Sequence, residues 1–121
     1  TTHKPVYNAF LMFRNYDGAG GKFGSVSVGA QSGYANVHAY AATDSATSPT
    51  KLWIMLVNRG TSAQSNMTIT INNFTAASTA KAYQSVNGAA PAAAADVAIS
   101  NGSISELSIA ANTITLIAAA R

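Results

Sequence analysis

Six apolar residues in a row, Leu52-Trp53-Ile54-Met55-Leu56-Val57, stand between Lys51 and Asn58. A run of this length closed by turn residues reads as a strand buried on both faces, and Asn58-Arg59-Gly60 supplies the turn. The chain must therefore place cover on both sides of one strand. Its 121 residues suffice for one domain and not for two. A 48% hydrophobic content makes a packed core possible.

Around that strand, period two recurs. Val26 and Val28 alternate with serines, and 36–43 is β-prone around Val37, His38 and Tyr40. Met67, Ile69 and Ile71 alternate with threonines. Residues 81–86 read as a strand closed by Asn87-Gly88. Residues 104–109 and 113–117 read as a last pair joined through Ala110-Ala111-Asn112. Ala89 to Ala95 reads as a low-complexity link or a short helix. Before all of this, residues 5–16 read as a helix, with Pro5 at its first turn and Asp17-Gly18 as its stop. The expected fold is mainly β: an antiparallel sandwich of seven to eight short strands after one N-terminal helix. Its boundaries are 1–18 for the helix and 19–121 for the sandwich. Leu52, Ile54, Leu56, Met67, Ile69, Ile71, Ile114 and Leu116 are its expected core.

The chemistry-bearing residues are few. Charged residues make up 9%, against about 25% in typical domains. The net charge of +3 is spread over isolated residues, with no basic run to follow a phosphate backbone, so nucleic acid is not an expected partner. Without cysteine there are no disulfides and no thiol chemistry. No stretch reaches the ~20 apolar residues of a membrane helix. Thr1-Thr2-His3-Lys4 runs straight into the patterned segment, as in a mature product or an excised piece.

Asp17, Asp44, Asp96 and Glu106 are the only carboxylates. Hydrolysis of a glycosidic bond takes two carboxyls about 5–10 Å apart, and no spacing here pairs any two. They read as solvated turn and surface acids, Glu106 sharing the parity of Ser108. His3 and His38 lack companions at metal-ligand spacing, so no metal and no cofactor is expected. Gly18-Ala19-Gly20-Gly21-Lys22 lacks the Ser or Thr of a phosphate loop. Tyr34, Tyr40 and Trp53, with Tyr83, are candidate sugar-stacking faces, although Trp53 in its apolar run reads more simply as core.

The helix is apolar beyond one stripe. Val6, Tyr7, Phe10, Leu11, Met12 and Phe13 cannot all face one small sandwich, since a helix on a single layer buries one stripe. Part of this surface is expected to meet something outside the sandwich or to drive self-association.

Pro5-Val-Tyr-Asn-Ala-Phe10, Met12-Phe-Arg-Asn-Tyr-Asp-Gly18 and Gly21-Lys-Phe-Gly24 resemble the last barrel helix and following segment of glycoside hydrolase family 44. The likeness continues through 37–42, 52–58 and 67–71. Ala110-Ala111, where such sandwiches often carry proline, and the 89–95 link depart from it. The resemblance implies a secreted bacterial endo-β-1,4-glucanase acting on cellulose derivatives and xyloglucan with retention. Its two catalytic glutamates would lie on an upstream (β/α)8 barrel that none of these residues matches. This chain would then be a non-catalytic C-terminal sandwich supporting that barrel, with residues 6, 7 and 10–13 facing it and β-glucan as a possible further partner. The alternative is a stand-alone carbohydrate-binding module, which needs two or three coplanar exposed aromatics. An independent enzyme is the weakest reading, for want of a carboxylate pair.

Overall fold

A computed structural model describes residues 11–17, 21–30, 34, 36–72 and 74–121. Eight strands run through them: β1 (Val26–Val28), β2 (Val37–Thr43), β3 (Lys51–Asn58), β4 (Gln64–Thr70), β5 (Thr79–Val86), β6 (Ala92–Ala98), β7 (Ser103–Ile109) and β8 (Thr113–Ala120). Six form one sheet in the order β1-β2-β3-β8-β5-β6, and β4 and β7 form a second. Every pairing is antiparallel. The expected sandwich is the observed one.

The apolar run is β3, one of the two central strands of the large sheet, and it is buried on both sides. Successive side chains of a strand point to opposite faces. Leu52, Ile54 and Leu56 thus join Ile117, Met67, Ile104 and Ile109 between the two sheets. Trp53 and Met55 point the other way, onto Met12, Tyr16 and Leu116. We call these the inner and outer faces of the large sheet.

Asn58 closes β3 and is 2% exposed. Its Nδ2 is shared among the carbonyls of Ser62, Ile109 and Ala110 at 3.1 Å each, and its Oδ1 accepts from Gly60 N at 2.9 Å. One side chain therefore shapes the turn after β3 and pins the β7–β8 connection to it. A buried amide with its bonds made is stable there, whereas an apolar replacement would orphan those carbonyls.

Three expectations need correction. The strands at 103–109 and 113–120 do not pair with each other: β7 pairs β4, and β8 lies between β3 and β5. Burial gives the reason. β7 is covered on one side only, by Ile104 and Ile109, with Ser105 and Ser108 exposed. β8 is covered on both, so it takes a central position, and the connection crosses between sheets through Asn112 at φ 52°. The alanine-rich link is largely a strand: residues 92–98 are β6, an edge strand paired with β5. Alanine favours helix, and tertiary pairing overrides that preference here. Finally, Ile69, Ile71 and Ile114 are only half-buried, whereas Leu52, Ile54, Leu56, Met67 and Leu116 are buried.

Candidate functional site

The outer face carries the sequence motif that opens the chain. Residues 11–14 are helical, ending with a bond from Asn15 N to Leu11 O at 2.8 Å. The first part of the expected helix, with Val6, Tyr7 and Phe10, lies outside the described residues. After the helical turn the chain doubles back: Tyr16 N donates to Gly21 O and Phe23 N to Phe13 O, at 3.1 and 2.7 Å. Asp17 Oδ1 accepts from Gly21 N at 2.8 Å, and a Cβ on Gly21 would meet that carboxylate at 2.6 Å. A side chain at this position would push the carboxylate aside and disturb that hydrogen bond.

The folded-back segment is clamped to the sheet. Met12 is 0% exposed and packs with Met55 and Leu116. Full burial of such a side chain stabilises by about 1.5–3 kcal/mol. Trp53 Nε1 donates to Tyr16 Oη at 3.0 Å in a buried contact. Tyr16 also lies against Tyr83, ring centroids 4.8 Å apart. Gly24 lets the backbone touch the indole, since a Cβ would sit 2.7 Å from Trp53 Cε3 and from Thr43 O. Phe13 and Phe23 meet edge to face at 5.5 Å. The Arg-Asn-Tyr-Asp and Lys-Phe-Gly runs are therefore a docking clamp, built from an acceptor hydroxyl, a turn carboxylate and two glycines.

Against this geometry the candidate residues separate. Trp53 is 8% exposed and hydrogen-bonded, so it presents no face to a sugar. Tyr34 is half-buried against the inner core and lines a cleft of about 630 Å³ between the sheets, with Val37, Leu56, Met67 and Ile69. Tyr83 is half-buried beside Tyr16, where burial first, and then the nearby Asp17 charge, raise its pKa above the usual 10.0. Only Tyr40 is open, 52% exposed on the outer face. Of the four candidate aromatics, Tyr34 lies with the inner core and Trp53, Tyr83 and Tyr40 on the outer face, where only Tyr40 is exposed, so they form no common exposed platform. Of the residues expected to face a barrel, Met12 is buried against this chain's own sheet. Leu11 is half-buried and Phe13 is 37% exposed.

The described carboxylates serve local structure. Asp44 accepts from Thr50 Oγ1, Thr50 N and Lys51 N across the β2–β3 turn, and the Thr50 hydroxyl chiefly lowers its pKa from the usual 3.8. Asp96 pairs with Lys81 at 3.3 Å. The side chain of Glu106 lies outside the described residues. Among the described residues no group of His, Asp or Glu is placed to hold a metal ion.

Sequence reading missed Tyr16, Gly24 and Asn58 as structural hubs, and it missed the exposure of Tyr40. Parity held a signal for the last. Tyr40 stands directly opposite Met55 in the β2–β3 register, so it shares the outer face, but at the sheet's less covered side.

No family model matches the sequence, and no curated protein matches it significantly. Solved structures do. The bifunctional glucanase-xylanase CelM2 from a metagenome library is 34% identical over 96% of this chain, which spans 22% of that protein, with a TM-score of 0.86. A xyloglucanase of glycoside hydrolase family 44 from Paenibacillus polymyxa gives 23% identity over 95% of this chain and 23% of its own, with a TM-score of 0.85. The family 44 endoglucanase Cel44A from Clostridium thermocellum gives 20%, 98% and 24%, again with a TM-score of 0.85. The chain thus spans less than a quarter of the length of each, and its fold is that of a β-sandwich portion of family 44 enzymes.

Proposed function

We propose, from this likeness to the sandwich portion of family 44 glycoside hydrolases, that the chain is the non-catalytic C-terminal part of a secreted bacterial endo-β-1,4-glucanase. It supports a catalytic barrel that acts on cellulose derivatives or xyloglucan. The observation that carries the reading is coverage. Almost the whole chain corresponds to 22% of a glucanase-xylanase at 34% identity. The machinery for cleaving a glycosidic bond then lies in the remaining part. Two further features support it. The described carboxylates are each engaged in a turn or an ion pair. The N-terminal segment is locked to one face of the sheet by Met12, Tyr16 and Gly24, as a rigid connection to an upstream body requires.

The test is hydrolysis. The chain alone is expected to release no reducing ends from carboxymethyl cellulose or xyloglucan, while the enzyme containing it does so. Turnover by the chain alone, lost when Asp17 or Glu106 is changed to its amide, overturns the proposal. Soluble β-glucans are expected to bind weakly or not at all, because Tyr40 is the only exposed ring among the described tyrosines and the tryptophan. Calorimetric titration giving low-micromolar binding that vanishes in Tyr40→Ala would favour the carbohydrate-binding module instead.

A further inference from the structure

Strand register lays out the outer face in rows. Tyr40, Met55, Leu116 and Tyr83 form one row across four strands, and His38, Val57, Ile114 and Ser85 form the next. Among the described residues, the docked segment covers the first row at Met55 and Leu116; Val57 and Ile114, packed at the margin of that cluster, are half-buried, and Tyr40 and His38 are exposed. The second row ends in a groove of about 260 Å³ lined by Val57, Ile114, Arg59, Asn87 and Asn112. Asn87 and Asn112 hold left-handed backbones at φ 52° and are tied by Asn87 N to Asn112 O at 2.9 Å, so the groove wall is fixed. Arg59 is exposed at the rim and has no carboxylate partner among the described residues. A tyrosine, an aliphatic floor and an uncommitted arginine on a rigid sheet have the composition of a protein interface. A sugar subsite would need a ring over the groove, and Tyr40 does not line it.

What covers this surface follows from its continuity. It adjoins the segment 11–16, through which the chain enters the sandwich on this same face, and the matched enzymes hold more than three-quarters of their length elsewhere. We propose that the outer face beyond the docked segment, from Tyr40 to Arg59, seats the catalytic barrel. The barrel sets apolar side chains on Tyr40, Val57 and Ile114 and a carboxylate on Arg59. This rests on the function proposed above and adds which surface makes the joint.

The experiment compares the 121-residue chain with the enzyme that contains it, each as wild type, Tyr40→Asp and Arg59→Glu. In the chain alone both substituted residues face water, so its melting temperature is expected to stay within the scatter of repeats. In the enzyme, the half-life of xyloglucanase activity at a denaturing temperature is expected to fall about tenfold or more, as for loss of an interface anchor. Arg59→Gln should lie between wild type and Arg59→Glu. An enzyme whose half-life is unmoved by both substitutions overturns the inference while leaving the proposed function intact. A wild-type enzyme whose sandwich melts as it does in isolation, independent of the barrel, overturns the proposed function itself. If sedimentation shows the chain alone to be a dimer that Tyr40→Asp dissociates, with the enzyme's half-life unchanged, the occupant is a second copy and the inference fails. Loss of xyloglucan binding with an unchanged half-life would likewise give the surface to the glucan.

Discussion

The two faces of the large sheet are built from alternate residues of the same strands, yet they are covered in different ways. The inner face is aliphatic and is closed by a second sheet: Leu52, Ile54, Leu56 and Ile117 against Met67, Ile104 and Ile109. The outer face is covered in part, among the described residues, by a folded-back segment whose contacts are aromatic and polar: Trp53 with Tyr16, Tyr16 with Tyr83, and Phe13 with Phe23. An aliphatic layer holds by area alone and tolerates no missing volume. A clamp made of one hydrogen bond, two glycine contacts and a buried methionine can let go locally while the sheet persists. The inner face makes the domain, and the outer face makes its connection.

The largest effect should come from the inner face. Ile117 is 0% exposed, and Ile117→Ala is expected to cost about 2–5 kcal/mol in urea unfolding. Ile69 is half-buried on β4, so Ile69→Ala should fall clearly below that. Equal costs at the two sites would mean that the small sheet covers the large one more completely than the burial pattern allows.

The next effect sharpens the contrast. Tyr16→Phe removes the acceptor of a buried indole N–H, a loss of about 1–3 kcal/mol. The loss should be local. Trp53 is the single tryptophan, so its fluorescence reports the clamp. In Tyr16→Phe the emission is expected to shift to the red at lower denaturant than the loss of β circular dichroism. Coincident transitions would show that the two faces unfold as one unit and that the comparison is wrong.

Those regions were unequally legible in the sequence. β3 announced itself because six apolar residues in so short a space admit few other structures, and its two-faced burial follows from strand parity alone. Sandwich class followed from turn spacing. Strand order did not: the serines of β7 and the apolar run that ends β8 bear on how many faces each strand buries, but not on which strand lies beside which. β6 was hidden by alanine, which carries no period. Asn101-Gly102, at φ 52° and 74°, makes the tight turn between Ser100 and Ser103; this strong hairpin dipeptide went unread beside the alanine run. At the candidate site, the clamp residues were visible as a motif. Their purpose was not, because the partners Tyr16 and Trp53 lie 37 residues apart and meet only through the fold.

The smallest expected effect concerns pH, and it belongs to the outer face. The Tyr83 hydroxyl ionises above the usual 10.0, because burial beside Tyr16 disfavours the phenolate and the Asp17 charge repels it. The neutral phenol is the form the folded state prefers. Below pH 10.0 folded and unfolded chains both carry it, and its contribution is fully present. Above that value the unfolded chain loses the proton first, so stability declines as pH rises through the folded value. Other tyrosines titrate in the same range, and the informative quantity is therefore a difference. The stability gap between wild type and Tyr83→Phe should be flat up to about pH 9 and should drift in favour of Tyr83→Phe from about pH 10 upward. The fluorescence of Trp53 should register the drift before the circular dichroism does, because Tyr83 touches the clamp and not the inner core. A gap that stays constant to about pH 11 would mean that the phenol is solvated in the folded state and that the segment is not closed over it.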